Sequence, residues 1–65
     1  MKKPKFPAIA SEMAKRGEIL SDLAKLLDVS PLTIFNKLNG KTEFTVSEVE
    51  KLKEHYGKSY DELFG

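Results

Sequence analysis

Apolar residues recur along this chain at spacings of three and four rather than two, the period of helices packed on one face and not of strands. Pro4 and Pro7 keep the first residues extended, so a first helix is expected from Pro7 or Ala8, with Ile9, Met13 and Ala10 on one side. Gly17 ends it behind Lys15 and Arg16, two cations that suit the negative end of a helix dipole. Ser21 reads as the N-cap of a second helix, with Asp22 behind it and Leu23, Ala24, Leu26 and Leu27 as its apolar side. The break falls at Asp28-Val29, where Asp tolerates a left-handed backbone better than most residues. Helix resumes at once: Ser30 is a cap, Pro31 a first helical residue, and Val29 with Ile34 a hydrophobic staple. Asn39-Gly40 closes that helix. Thr45 to Glu48 has capping-box spacing, flanked by Phe44 and Val49, and opens a fourth helix carrying Val49, Leu52 and Tyr56 up to Gly57. Ser59 to Glu62 repeats the cap before Leu63 and Phe64. The class is therefore all-α, a compact bundle of about five short helices.

With 65 residues and no cysteine, the chain can hold one domain resting on its core alone. Residues 1–6 read as a basic N-terminal arm, in which Lys2, Lys3 and Lys5 are either a mobile solubilising tail or a DNA-following one; residues 7–65 are the domain. The basic start lacks the apolar run of a signal peptide, and no stretch approaches a membrane span, so a cytoplasmic protein is expected. Net charge is only +1, yet it is unevenly spread. Residues 1–20 carry five cations and two anions, residues 21–44 three of each, and residues 45–65 three cations and five anions. Between Val29 and Thr42 the only charges are Lys37 and Lys41, an acid-free stretch the size of one helix and one turn.

Catalytic constellations are missing. His55 is the sole histidine, beside Glu54 in a charged helix, and reads as a surface residue rather than a base or ligand. Glu48 and Glu50 project from different sides of a helix and read as solvated surface. The scattered glycines form no phosphate loop, so the chain is not expected to be an enzyme and needs no cofactor or metal.

The informative stretch is LSDLAKLLDVSPLTIFNKLNGK, residues 20–41, whose two short helices and tight break have the layout of a helix-turn-helix at 20–39. On a wheel of about 100° per residue, Ile34 and Leu38 of the second helix share the core side. Leu32, Thr33 and Asn36 lie opposite, Phe35 and Asn39 to one side, and Lys37 nearer the core on the other. Asn36 is the best candidate for a base edge, because its amide both donates and accepts and can pair bidentately with adenine. Thr33 could add a polar or methyl contact and Leu32 could meet a thymine methyl, whereas Phe35 is better read as packing. The bland alternative for Asn36 is a solvated amide, and for Leu32 a protein contact. Ser21 and Ser30 head the two helices, where hydroxyls and unpaired N–H groups suit phosphate oxygens; Lys37 is either a further phosphate contact or a plain surface cation.

In Gly17, Leu23-Ala24, Val29-Ser30, Ile34, Asn39-Gly40-Lys41 and the closing YGKSYDELF, the chain resembles the lambda-repressor-like, or Cro/XRE, family over nearly all of Ile9 to Phe64. The resemblance implies a second helix across the DNA backbone, a third, Ser30 to Leu38, in the major groove, and a backbone-binding loop at Asn39, Gly40, Lys41 and Thr42. It also implies a homodimer on double-stranded operator DNA with half-sites about 34 Å apart, and a dimer surface near Tyr60, Leu63 and Phe64. Four positions depart from the family's habit: Leu20 stands where a phosphate-binding glutamine is frequent, Asp28 where glycine is usual, and Met13 with Leu38 where an arginine–glutamate pair often lies. The expected function is a phage or bacterial sequence-specific transcription regulator, most simply a repressor, associated with the nucleoid. The alternative is a protein-interaction module on the same scaffold, in the manner of an antitoxin or antirepressor.

Overall fold

The computed structural model describes residues 5–65. Five helices follow one another: α1 (Pro7–Arg16), α2 (Leu20–Leu27), α3 (Pro31–Leu38), α4 (Val46–Tyr56) and α5 (Tyr60–Phe64). Each contributes one side chain that is essentially fully buried, respectively Ile9, Leu23, Ile34, Leu52 and Leu63. Met13, Ala24, Leu27, Leu38 and Tyr56 complete the core around them. Burial of these side chains is the main stabilising contribution in a chain without disulfides. α2 packs most extensively on α3, α1 closes against α5, and α4 bridges α2 and α5.

The local signals mostly set the boundaries as their chemistry requires. Gly17 takes the left-handed conformation (φ 67°) and its N–H returns to α1 carbonyls. Asp28 is left-handed as well (φ 58°, ψ 47°) and is the only described non-glycine residue with positive φ. Ser30 Oγ accepts the Thr33 N–H, while Thr45 with Glu48 and Ser59 with Glu62 form reciprocal capping boxes. The exception is Ser21. α2 begins one residue earlier, at Leu20, with Ile19 in the cap position; Ile19 has no side-chain oxygen to offer, and the Asp22 carboxylate instead accepts the Ile19 N–H at 2.9 Å. Ser21 is thus inside the first turn and is not a cap.

Three polar side-chain contacts join distant parts of the described chain. Lys37 pairs with Glu48 across α3 and α4, with both side chains about nine-tenths buried. Glu18, in the α1–α2 loop, accepts the Tyr56 hydroxyl at 2.8 Å and lies 2.5 Å from His55 Nε2, tying that loop to the end of α4. Glu48, expected on the solvated surface, is thereby drawn into the core, as a charged side chain can be when a partner of opposite sign reaches it, and His55, expected there too, is half-buried against Glu18. Among the described residues, no helix is long and apolar enough to cross a membrane.

Candidate nucleic-acid interface

α3 is eight residues long and its inward side is committed: Ile34 is wholly buried and Leu38 nearly so. The opposite side carries Leu32, 67% exposed, Phe35, 41% exposed, and the half-buried Thr33 and Asn36. Among the described residues the Asn36 amide has no hydrogen-bond partner, so both its donor and its acceptor remain available. Thr33 is less free, because its hydroxyl lies 2.9 Å from Ser30 Oγ. No carboxylate lies on α3. Phe35 is neither fully packed nor fully free: it forms one wall of an apolar groove of about 390 Å³ between α1 and α3, with Ala10, Met13, Leu20 and Leu38.

Several of the residues expected at phosphates are engaged within the protein. Lys37 is 8% exposed and its ammonium is bound to Glu48, so it is not a surface cation and cannot reach a phosphate while that pair holds. The alkyl stem runs beside the core, which is why the wheel put Lys37 near Ile34; the carboxylate that receives it is eleven residues away and has no local sequence signature. Burial alone would raise the Glu48 carboxyl, but the Lys37 hydrogen bond, the Thr45 N–H and the Lys37 charge outweigh it and hold the group below its ordinary range.

The Asn39–Thr42 loop is also partly spoken for. The backbone N–H groups of Asn39, Gly40 and Lys41 donate to Phe35, Lys37 and Asn36 carbonyls at 3.1, 3.1 and 2.9 Å. The Asn39 side-chain amide donates to the Phe35 carbonyl at 2.8 Å. Asn39 and Gly40 therefore end α3, and the backbone N–H groups of Asn39, Gly40 and Lys41 are not offered to an anion; only the second hydrogen of the Asn39 amide remains, whereas the Lys41 and Thr42 side chains are exposed. At the head of α2, Asp22 places a carboxylate where a phosphate would otherwise settle, which weakens Ser21 as a contact. Ser30 Oγ accepts the Thr33 N–H and shares a hydrogen bond with the Thr33 hydroxyl, so it too is engaged within the helix start.

Against these losses stands one gain. Lys5, assigned by sequence to a loose arm, donates its N–H to the Leu38 carbonyl at 2.9 Å, and its side chain lies against Gly40. A Cβ added to Gly40 would come within 2.5 Å of Lys5 Cδ, and the Gly40 backbone is left-handed at φ 79°. Lys5 and Lys41 thus flank the loop. Phe6 is anchored too, its ring packed on Phe44 and Phe64, so the arm does not extend through residue 6; Lys2 and Lys3 lie outside the described residues.

At the C-terminal end, Leu63 is 1% exposed and belongs to the core, so it cannot form a dimer contact. Phe64 is half-buried in an aromatic cluster with Phe6 and Phe44, and Tyr60, 53% exposed, stacks on it with centroids 5.1 Å apart. Of the three residues, Tyr60 presents the most surface. Compared with family models, curated proteins and solved structures, the chain has no match.

Proposed function

We propose that this chain is a sequence-specific duplex-DNA-binding regulator of transcription that reads the major groove with the outer side of α3. The observation that carries this reading is the acid-free outer side of α3, centred on an Asn36 amide that has no partner among the described residues and presented by two short helices joined through a tight left-handed turn. Asn36 is the principal base contact, with Leu32 and Thr33 beside it as methyl and polar contacts. Lys41 and Thr42 meet phosphates, joined by Lys5 in the role first given to Lys37. One short helix reads few base pairs, so a homodimer on a two-fold operator follows, with Tyr60 as the exposed residue at the C-terminal end available to the second copy. Such a protein works with the nucleoid in a bacterial cytoplasm and occludes a promoter without a cofactor.

The test is duplex-DNA affinity measured against salt, followed by selection of preferred sites from random sequence. Contacts to several phosphates require binding to fall steeply as salt rises, and a two-fold site follows from a dimer. A flat salt profile sinks the proposal. A second reading, a protein-binding module, is favoured by the exposure of Leu32 and Phe35 and by the apolar groove beside them. It predicts the flat profile.

A further inference from the structure

Lys37 and Glu48 bracket the segment that contains the Asn39–Thr42 loop. The Lys37 ammonium hydrogen-bonds Glu48 Oε1, and that same oxygen accepts the Thr45 N–H at 2.8 Å. The ammonium also stands 5.8 Å from the centre of the Phe44 ring. At the other end, the Lys37 carbonyl accepts the Gly40 N–H. The side-chain pair therefore joins the last turn of α3 to Phe44 and the cap of α4, while the backbone of the same Lys37 holds the first residues of the loop, so both ends of the loop are tied at one residue. An apolar pair of similar volume would fill the same space with no charge to desolvate, so stability is a poor account of a buried ion pair here. What an ion pair supplies that an apolar pair does not is direction: it fixes where two chain segments stand relative to each other.

We propose that the Lys37–Glu48 pair is a clamp that sets the shape of the Asn39–Thr42 loop and thereby positions Lys41 and Thr42 toward DNA phosphates. The first half stands on the geometry of the free protein; the second rests on the DNA-binding reading above. Lys37 and Glu48 are positioning residues and touch no nucleic acid themselves.

The test compares the parent with the Lys37→Met/Glu48→Gln double variant, in which glutamine still accepts the Thr45 N–H and the α4 cap survives. Native-state amide exchange should quicken at Gly40 and Lys41 by about tenfold or more, while Leu27 and Leu52 keep the parent's rates. The single variant Lys37→Arg, whose guanidinium can still pair with Glu48, should restore slow exchange at Gly40 and Lys41. Equal acceleration throughout the chain means mere loss of stability and overturns the clamp, as does unchanged exchange at the loop. On DNA, the double variant should bind selected and random duplexes more weakly by the same factor, leaving base preference intact. Undiminished affinity with a loosened loop overturns the positioning half. A parent that shows no salt-dependent binding removes the DNA reading and leaves the exchange result to decide the clamp by itself.

Discussion

The two sides of α3 are built on opposite terms. Its inner side, Ile34, Lys37 and Leu38, is buried and its one polar side-chain group is paired, whereas its outer side leaves an exposed leucine and phenylalanine and a half-buried amide without a partner among the described residues. A helix made for stability alone would turn Leu32 and Phe35 inward or replace them with charges. One side thus serves the fold, and the other is the side proposed to meet DNA; the contrast can be attacked from either side.

The largest effect belongs to the inner side. Ile34→Ala should destabilise the domain by about 2–5 kcal/mol, enough to unfold much of so small a chain, as thermal or urea melting would show. If it melts like the parent, Ile34 is not the centre of the packing. Next comes Glu48→Ala, which strands the Lys37 ammonium and removes half of the α4 capping box. The expected cost is about 2–4 kcal/mol, kept from being higher because the long lysine stem can swing its charge to water. This loss should depend on pH. The folded-state carboxyl sits below its ordinary value of 4.5, so its contribution is fully present above that value and disappears as pH falls through the lower, folded-state value. Melting of parent and variant should therefore converge in acid; a gap that stays constant down to pH 2 would show that the pair's charge contributes nothing.

On the outer side the ordering of effects reverses between stability and binding. Asn36→Ala should change stability by less than about 1 kcal/mol, yet weaken binding to a selected operator by about 1–3 kcal/mol and relax preference at one base pair. Lys41→Ala should lower affinity for all duplexes alike and reduce the slope of log affinity against log salt by about 1. Should Asn36→Ala instead weaken random and selected duplexes equally, its amide reads no base and the division between specifying and positioning residues collapses.

Much of the fold was legible because its determinants are local. The caps at Ser30, Thr45 and Ser59, the left-handed breaks at Gly17 and Asp28, and the helical spacing of the core residues each act within a few positions of themselves. Ser21 failed as a cap because two neighbouring residues competed: Asp22, at the third helical position, reached back to Ile19 and started the helix earlier. The candidate site was legible on its outer side, where the wheel placed Asn36 and Leu32 away from the core. It was illegible wherever a long polar side chain chose between water and a distant partner. Lys37 found Glu48 eleven residues on, and Glu18 found His55 and Tyr56 thirty-seven and thirty-eight residues on. No periodicity encodes such choices, since a lysine near a helix's core edge is compatible with either. Lys5 shows the reverse error: a basic residue between prolines reads as loose, but its backbone N–H had an unfilled carbonyl at the end of α3 to bind.

The bond from Tyr56 to Glu18 has a practical consequence. Burial, and then donation to the carboxylate, push the Tyr56 phenol well above its ordinary value of 10.0. This group favours the folded state fully below that value, and the advantage is lost as alkali carries the solution toward the folded-state value. The chain has no tryptophan and only two tyrosines, so phenolate absorbance is uncrowded. Ultraviolet titration in alkali thus provides an unlabelled optical gauge of domain opening, because the Tyr56 phenol loses its proton more readily once it has left the core.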